Sequence, residues 1–174
     1  MTIDGVFDHT VLTPDEEIHQ HYTDLLNNAG LILYGSTTYQ LMQYWQPMVK
    51  KPSGEKSMDD FAIAIDKIPK IVFSHKLQDT GWDSASIANQ PLSEMVQTLK
   101  QLPGKEILAG SRSLIIQLMK LNLIDEYQLC VHPIVAGEGL QLFENMNYRK
   151  ILQFTKTKTF SGGAVILYYE PAIK

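Results

Sequence analysis

The stretch that decides the fold is EILAGSRSLIIQLMKLNLIDEYQLCVHPIVAGEGLQLF, residues 106–143. It begins with a short apolar strand, residues 107–109, that runs directly into the glycine turn Gly110-Ser111. Apolar residues then recur at the spacing of one helix face: Leu114, Ile115, Leu118 and Met119. A helix that starts at a glycine turn presents backbone N–H groups and the positive end of its dipole, and both favour a phosphate. The stretch therefore predicts a strand, a phosphate-binding turn and a helix, and so a nucleotide cofactor.

Two earlier apolar segments also end in turns, and the first of them leads into a helix near Tyr39 to Tyr44. Residues 31–34 form an apolar run that ends in a glycine turn, and residues 71–73 form another that ends in polar residues. In sheets of parallel strands, ligands bind beyond the carboxyl ends of the strands. Three such ends together favour a cofactor cleft more strongly than one. The small or polar residues that follow the two further strands are Gly35, Thr37, Thr38, Ser74, His75 and Lys76.

Helix signals fill the intervals between these strands. Residues 13–16, Thr-Pro-Asp-Glu, form a capping box and predict a helix that runs to about Asn28. Ser57 is expected to cap a second helix, which Pro69 ends, after a loop that starts at Pro47. A third helix is expected over residues 92–102.

The remaining strands complete the sheet. A weak strand is expected near residues 86–88, and residues 151–160 and 164–170 predict a terminal hairpin. Strands that alternate with helices and end in a hairpin indicate a mostly parallel sheet, covered on both faces, with an antiparallel edge. The chain of 174 residues is expected to form a single domain, 1–174.

Composition excludes several classes of function. The net charge is −4 and the basic residues are scattered, so that no electrostatic footprint for nucleic acid is visible. Alternate lysines, Lys156 and Lys158, are typical of a solvated strand face. No apolar run is long enough for a membrane span and no signal peptide opens the chain. The single cysteine, Cys130, lies in an apolar strand pattern and predicts a buried structural thiol in a cytoplasmic protein.

A metal site is not expected. His19 and His21 are two positions apart on a helix, and this spacing directs the two rings to different faces. Gly137-Glu138-Gly139 is expected at a strand end, either as a structural turn or as a turn beside a bound ring.

These pieces, in this order, resemble the dihydrofolate reductase-like superfamily. The chain is more closely similar to the branch related to the C-terminal reductase domain of the bifunctional riboflavin-biosynthesis deaminase/reductase. The resemblance covers essentially the whole chain. It is carried by residues 2–5 (TIDG), 33–39 (LYGSTTY), 71–74 (IVFS), 108–111 (LAGS), 123–126 (LIDE) with His132-Pro133, and 137–139 (GEG) with Leu142-Phe143.

The resemblance implies a three-layer α/β/α fold with a mixed, mostly parallel sheet of about eight strands, and often a homodimer. It also implies a cofactor, NADPH, whose pyrophosphate would be held by Gly110, Ser111, Arg112 and Ser113. Thr37 and Thr38, after Gly35, would bring a second helix terminus to the same phosphates. Ser74, His75 and Lys76 would lie by the adenosine ribose, where a 2′-phosphate favours a cation. Asp4 would face the substrate from a loop that resembles the reductases' mobile active-site loop.

The chain departs from the family pattern at several positions. Ser36 stands where arginine is common, which leaves the choice between NADPH and NADH open. Ala109 stands where the riboflavin reductases have a glutamate, which argues against their pyrimidine substrate. No acidic residue falls in register with the acid of dihydrofolate reductase proper, so that folate reduction is not expected. The strand that leads into residues 2–5 is central in the family, yet only Met1 precedes it, and we expect a truncated or misassigned start.

Three functions remain open on this basis. The first is a reductase that transfers hydride from NADPH to a small heteroaromatic or imine-like substrate, of pteridine or pyrimidine type, with the proton supplied by water or by an acid such as Asp4. The second is a nucleotide- or pterin-binding module without turnover. The third is a dimeric scaffold with an empty cleft.

Overall fold

A computed structural model of the chain describes residues 1–12, 14–144 and 146–172. The chain divides into two compact units: the first comprises Met1–Glu17 and Ile124–Lys174, and the second comprises Ile18–Leu123. A single domain of 174 residues, expected from the sequence, stays a prediction. Within the described ranges, no helix is both long enough and apolar enough to cross a membrane.

The second unit is built on a parallel sheet of four strands. They are β1 (Leu31–Gly35), β2 (Lys70–Phe73), β3 (Ala85–Ile87) and β4 (Ile107–Ala109). Their order across the sheet is β3-β2-β1-β4, with every neighbouring pair parallel. Because parallel neighbours cannot be joined by a hairpin, long connections carry the chain back between them. The strands predicted from the glycine turns and the weak strand near residues 86–88 are thereby confirmed.

The described residues form five α-helices, as expected, although none of them lies between β2 and β3. They are α1 (Glu16–Asn28), α2 (Ser36–Met42), α3 (Lys56–Lys67), α4 (Leu92–Gln101) and α5 (Arg112–Lys120). The predicted cap of α1, Thr13, lies outside the described residues.

Two details of the helix prediction are wrong. The expected loop at Pro47 instead begins inside a 3-10 helix, Gln43–Val49, that continues α2. Pro47 has no N–H and so leaves one hydrogen bond of this short helix unmade. Its carbonyl still accepts the N–H groups of Lys50 and Lys51. Ser57 is not a cap, since α3 starts one residue earlier and its N-cap is Glu55.

The core of the second unit lies where α1, α2 and α3 meet the sheet strands. Tyr39 and Val72 are fully buried, and Ile65 is 1% exposed. The rings of Tyr34, Tyr39 and Trp82 form a chain of contacts, with centroids 6.4 and 6.1 Å apart. Burial of aromatic and branched side chains on this scale is the main source of stability for such a unit.

Lys70 is a charged residue in this core and is only 1% exposed. Its Nζ donates to the carbonyls of Asp66 and Ile68 and to Ser84 Oγ, at 3.2, 2.9 and 2.6 Å. The ammonium also lies 4.1 Å from the centre of the Trp82 ring. Burial lowers the pKa of Lys70 to about 8, against a partly compensating attraction from Asp66. The folded protein therefore releases this proton at a lower pH than the unfolded chain.

We expect the stability of the protein to rise as the pH increases from about 8 towards 10, because in this window the unfolded chain holds the Lys70 proton and the folded protein does not. The gain should be on the order of 1–3 kcal/mol, since each pKa unit corresponds to about 1.4 kcal/mol. Urea denaturation as a function of pH should show this slope in wild type and in Lys67→Met, an exposed neighbour. The slope should disappear in Lys70→Met. A slope that survives in Lys70→Met would assign it to another group.

The first unit contains an antiparallel sheet of three strands. They are β5 (Tyr127–Val131), β6 (Leu152–Thr159) and β7 (Val165–Pro171), in the order β5-β7-β6. The predicted terminal hairpin is confirmed as β6 and β7. The expectation of one mixed sheet of about eight strands is wrong in detail, because the described residues form seven strands in two sheets. Met1 makes only one step of a ladder with β5, through Cys130 and His132, and this contact is too short to count as a further strand.

Cys130 is buried, as predicted, at 9% exposure. Its Sγ lies 3.6 Å from Nε2 of His132, which is also buried. Burial, followed by the charge of the Met1 amine, lowers the pKa of His132. A neutral imidazole beside a thiol in an apolar strand is a packing contact that the sequence pattern did not indicate.

Candidate functional site

Three turns lie side by side at the carboxyl edge of the parallel sheet. Strand β1 has β2 on one side and β4 on the other, with Gly35 opposite Phe73 and Leu33 opposite Ala109. The residues after these three strands therefore emerge at the same edge. This places the predicted segments 35–38, 74–76 and 110–113 next to one another in the second unit, as the sequence analysis required.

A buried hydrogen bond joins the first and the last of these turns. The backbone N–H of Gly35 donates to Ser111 Oγ at 2.8 Å, and Ser111 is 1% exposed. Ser111 occupies the N-cap position of α5, yet its side chain does not cap that helix. A serine at this position ordinarily accepts an N–H of its own helix, which is worth about 1 kcal/mol. Here the hydroxyl instead accepts the N–H of Gly35, in the neighbouring turn at the start of α2.

Gly35 is packed tightly against the same turn. A Cβ atom at Gly35 would lie 3.1 Å from Ser113 Oγ and 3.7 Å from the Cβ of Ser111. A side chain at Gly35 would therefore press on the Ser113 hydroxyl, which would have to shift by a few tenths of an ångström. Ser113 itself is exposed, and Arg112 is half-buried.

Gly110 has a different environment. A Cβ atom there would meet only Cε1 of Tyr34, at an ordinary 3.8 Å, and the residue is not in the left-handed backbone region. The protein itself therefore gives no steric reason for glycine at this position. Open space beside a backbone turn at a helix N-terminus is suited to a ligand that approaches the backbone closely.

The turn after β2 is organised by Ser74. Its Oγ accepts the N–H groups of Lys76 and Leu77 at 3.2 and 3.0 Å. Ser74 is thus engaged within its own turn, and His75 and Lys76 are exposed beyond it. In the turn after β1, Thr37 is exposed and Thr38 is half-buried, so that both can be reached from solvent.

Asp4 lies in the first unit and is held by three donors. Thr2 Oγ1 donates to Asp4 Oδ1 at 2.5 Å, the Ala136 N–H to the same oxygen at 3.2 Å, and the Gly137 N–H to Oδ2 at 2.8 Å. The hydrogen bonds from Thr2, Gly137 and Ala136 lower the pKa of Asp4 to about 2. Asp4 is therefore ionised at neutral pH, where it can accept a hydrogen bond but cannot donate a proton.

The segment 137–139 forms a structural turn in the first unit. Gly139 has φ of 135°, and a Cβ there would lie 2.7 Å from Cγ1 of the fully buried Val6. Glycine is thus required both for the backbone conformation and for the close approach. The N–H of Gly137 is the donor that fixes Asp4. Whether this turn also lies beside a bound ring stays a prediction.

Two functional arrangements were not anticipated from the sequence. One is the link between Gly35 and Ser111, which joins residues 76 positions apart. The other is the buried Thr2, whose hydroxyl donates to Asp4 and accepts the Val6 N–H. A threonine two residues before an aspartate was a visible signal for the second, because short polar side chains bond to near neighbours. No sequence signal indicated the first.

Helix–strand alternation in one unit and an antiparallel sheet in the other define an α/β protein of the dihydrofolate reductase-like fold, as the sequence indicated. The chain belongs to the RibD C-terminal domain family, whose model matches residues 1–167.

Individual relatives agree with this assignment. The uncharacterized protein YyaP of Bacillus subtilis (strain 168) is 36% identical over 166 residues, which cover 95% of this chain and 84% of that protein. The structure of a putative riboflavin biosynthesis protein from Shewanella sp. PV-4 is similar with a TM-score of 0.73 at 16% identity, over 99% of this chain and 95% of that one. A pyrimidine reductase-like protein from Corynebacterium diphtheriae gives 0.66 at 13% identity, over 99% and 89%. At these identities the two structures establish the fold alone.

Proposed function

We propose that this protein is an oxidoreductase that binds NADPH at the carboxyl edge of β2-β1-β4 and transfers hydride to a small heteroaromatic or imine-like substrate. The observation that carries the proposal is the hydroxyl of Ser111. It accepts the Gly35 N–H instead of capping α5, at a turn where Gly110 leaves open space. Membership of the RibD C-terminal domain family supports a reductase.

The residues at this edge fit the chemistry of a dinucleotide. The N-terminus of α5 and the exposed hydroxyl of Ser113 suit the pyrophosphate, because helix termini and hydroxyl donors stabilise phosphate oxygens, while the buried Ser111 holds the turn in place. Thr37 and Thr38 add two more hydroxyls at the adjacent turn. The exposed His75 and Lys76 suit the 2′-phosphate of NADPH, a group that NADH lacks. These two residues would therefore select NADPH, although Ser36 stands where arginine is common in the family.

When bound, the cofactor supplies the hydride from its nicotinamide ring. The reduced substrate also needs a proton, and the ionised Asp4 cannot provide it at neutral pH. We therefore propose water as the proton donor. Asp4 acts in this proposal as a fixed acceptor, held by Thr2 and the 136–137 backbone, that orients a donor group of the substrate.

A second candidate is a nucleotide- or pterin-binding module without turnover. The observation in its favour is the state of Asp4, whose carboxylate already accepts three hydrogen bonds within the first unit. Ala109, before the glycine turn, adds no ionisable group. This candidate shares the cofactor site with the first and differs only in the absence of hydride transfer.

We also propose a cytoplasmic location, because the single cysteine, Cys130, is a buried free thiol.

Calorimetric titration with NADPH and with NADH tests the cofactor site. We expect NADPH to bind with a dissociation constant of about 1–100 µM and at least about tenfold more tightly than NADH, a difference of about 1.4 kcal/mol. Lys76→Ala should bring the two affinities together, whereas Lys100→Ala, on α4, should not. Failure to bind either cofactor at millimolar concentration would contradict the reductase. Binding without oxidation of NADPH by any pteridine or pyrimidine would favour the module without turnover.

A further inference from the structure

The chain between β2 and β3 forms a loop, residues 74–84, without helix or strand. Its exposed residues include His75 and Lys76 near one end and Asp79 and Asp83 further along. A phosphate group beside this loop would be attracted by the ammonium of Lys76 and repelled by the two carboxylates. The position in which the loop is held therefore decides which charge such a ligand meets.

The first part of the loop is attached to β2 and to the core. Ser74 Oγ accepts the N–H groups of Lys76 and Leu77 at 3.2 and 3.0 Å. Leu77 is half-buried and packs against the core cluster of the second unit. The two residues that follow are exposed. The next point at which the loop is held is Thr80.

Side chains of α2, and of the 3-10 helix that continues it, hold the loop at Thr80 and Gly81. Tyr39 Oη donates to the Thr80 carbonyl at 2.9 Å, and Gln43 Nε2 donates to the same oxygen at 3.0 Å. Gln46 Nε2 donates to the Gly81 carbonyl at 2.9 Å. These lengths are ordinary for strong neutral hydrogen bonds. We call Tyr39, Gln43 and Gln46 the α2 clamp.

The spacing of the three donors explains how they reach one loop. Tyr39 and Gln43 are four residues apart, which places them on the same face of a helix. Gln43 and Gln46 are three residues apart in a 3-10 helix, where side chains at this spacing eclipse each other. The change from α to 3-10 geometry at Gln43 therefore keeps all three donors on the side of the loop.

The opposite end of α2 is attached to the turn after β4. Gly35, the N-cap residue of α2, donates its N–H to Ser111 Oγ. Thr37 and Thr38, which we assign to the pyrophosphate, lie between this bond and Tyr39. One short helix thus has hydrogen bonds to the turn proposed for the pyrophosphate and to the loop proposed for the adenosine end. Two groups of one ligand bind best when the protein holds both of their sites at a fixed separation.

We propose that the α2 clamp is a set of positioning residues, which hold residues 74–84 so that Lys76, and not Asp79, meets the 2′-phosphate of NADPH. The inference rests on the proposed function and adds the residues that set the preference for NADPH over NADH. The clamp acts through the loop, since Tyr39 is fully buried and cannot be reached by the cofactor. NADH has no 2′-phosphate, so that its affinity should depend little on the clamp.

Amide hydrogen exchange without cofactor tests whether the clamp holds the loop. Tyr39→Phe/Gln43→Met removes both donors to the Thr80 carbonyl and keeps side chains of similar size. Exchange at residues 76–81 should become at least about tenfold faster, while exchange in α4 stays as in wild type and shows that the protein is folded. Gln43→Met/Gln46→Met, which leaves the buried Tyr39 in place, carries the same expectation. Unchanged exchange at residues 76–81 in both double variants would overturn the proposal.

Calorimetric titration with NADPH and NADH measures the consequence for the cofactor. In either double variant the affinity for NADPH should fall about tenfold and the affinity for NADH less than about twofold, so that the preference disappears. Gln40→Met, at an exposed position of α2, is the matched control and should keep the wild-type preference.

The outcomes separate this inference from the proposed function. If wild type prefers NADPH and the double variants keep that preference, the cofactor site stands and the clamp is not what sets its selectivity. An equal loss of affinity for both cofactors also overturns the inference, because the clamp would then maintain the fold and not the 2′-phosphate contact. A wild type that binds neither cofactor, or both equally, would overturn the proposed NADPH site and this inference together.

Discussion

Replacing Gly110 with aspartate is expected to abolish NADPH binding while the protein remains folded. The fold tolerates a side chain at this position, because a Cβ would contact only Tyr34 Cε1 at 3.8 Å and the backbone is not in the left-handed region. A carboxylate at the start of α5, however, would occupy the positive end of the helix and repel the phosphates. We expect a loss of affinity of at least about 100-fold by calorimetry, or about 2.7 kcal/mol.

Two further variants make this result specific. Gly104→Asp adds the same charge at an exposed glycine where a Cβ meets nothing within 4 Å, and it should bind NADPH normally. Gly110→Ala adds one methyl group without charge and should weaken binding to an intermediate degree. Undiminished affinity in Gly110→Asp would show that the cofactor binds elsewhere. Equal losses in Gly104→Asp and Gly110→Asp would indicate a general effect of net charge.

The sequence predicted the parallel sheet well because its evidence was local. Each of β1, β2 and β4 is a short apolar run that ends in a small or polar turn, and chain reversal by a helix follows from periodicity within a few residues. The carboxyl edge then followed from topology alone, since parallel neighbours end on the same side. This is why the segments at Gly35, Ser74 and Gly110 can be grouped from the sequence alone.

The parts that escaped prediction depend on contacts between distant residues. The division into two sheets arises because β5 pairs with β7 and not with β4, and no local pattern encodes that choice. The low pKa of Asp4 depends first on the hydroxyl of Thr2, two residues away, and then on the N–H groups of residues 137 and 136, more than 130 positions away. Its identification as a candidate acid was therefore possible from the sequence, but its low pKa was not.

The link between Gly35 and Ser111 is the contact whose removal should most affect both stability and cofactor binding. Ser111→Ala removes the acceptor and leaves the buried Gly35 N–H without its partner, which costs about 1–3 kcal/mol of folding free energy. It also removes the hydrogen bond between the turn after β1 and the turn after β4. The two turns are then no longer fixed in position to bind one ligand together. We expect the NADPH affinity to fall by about 10- to 100-fold in calorimetry, in addition to the loss of stability in urea.

Ser84→Ala separates the two effects, because it makes the same chemical change at the opposite edge of the same sheet. Ser84 precedes β3, and its Oγ donates to the Asp66 carbonyl at 2.5 Å and accepts from Lys70 Nζ at 2.6 Å. A comparable loss of stability is therefore expected there, with NADPH affinity unchanged. If Ser84→Ala weakened NADPH binding as much as Ser111→Ala, the loss would reflect general loosening of the second unit. If Ser111→Ala bound NADPH as wild type does, the Gly35–Ser111 bond would be a packing feature of the sheet edge and the cofactor would be held without it.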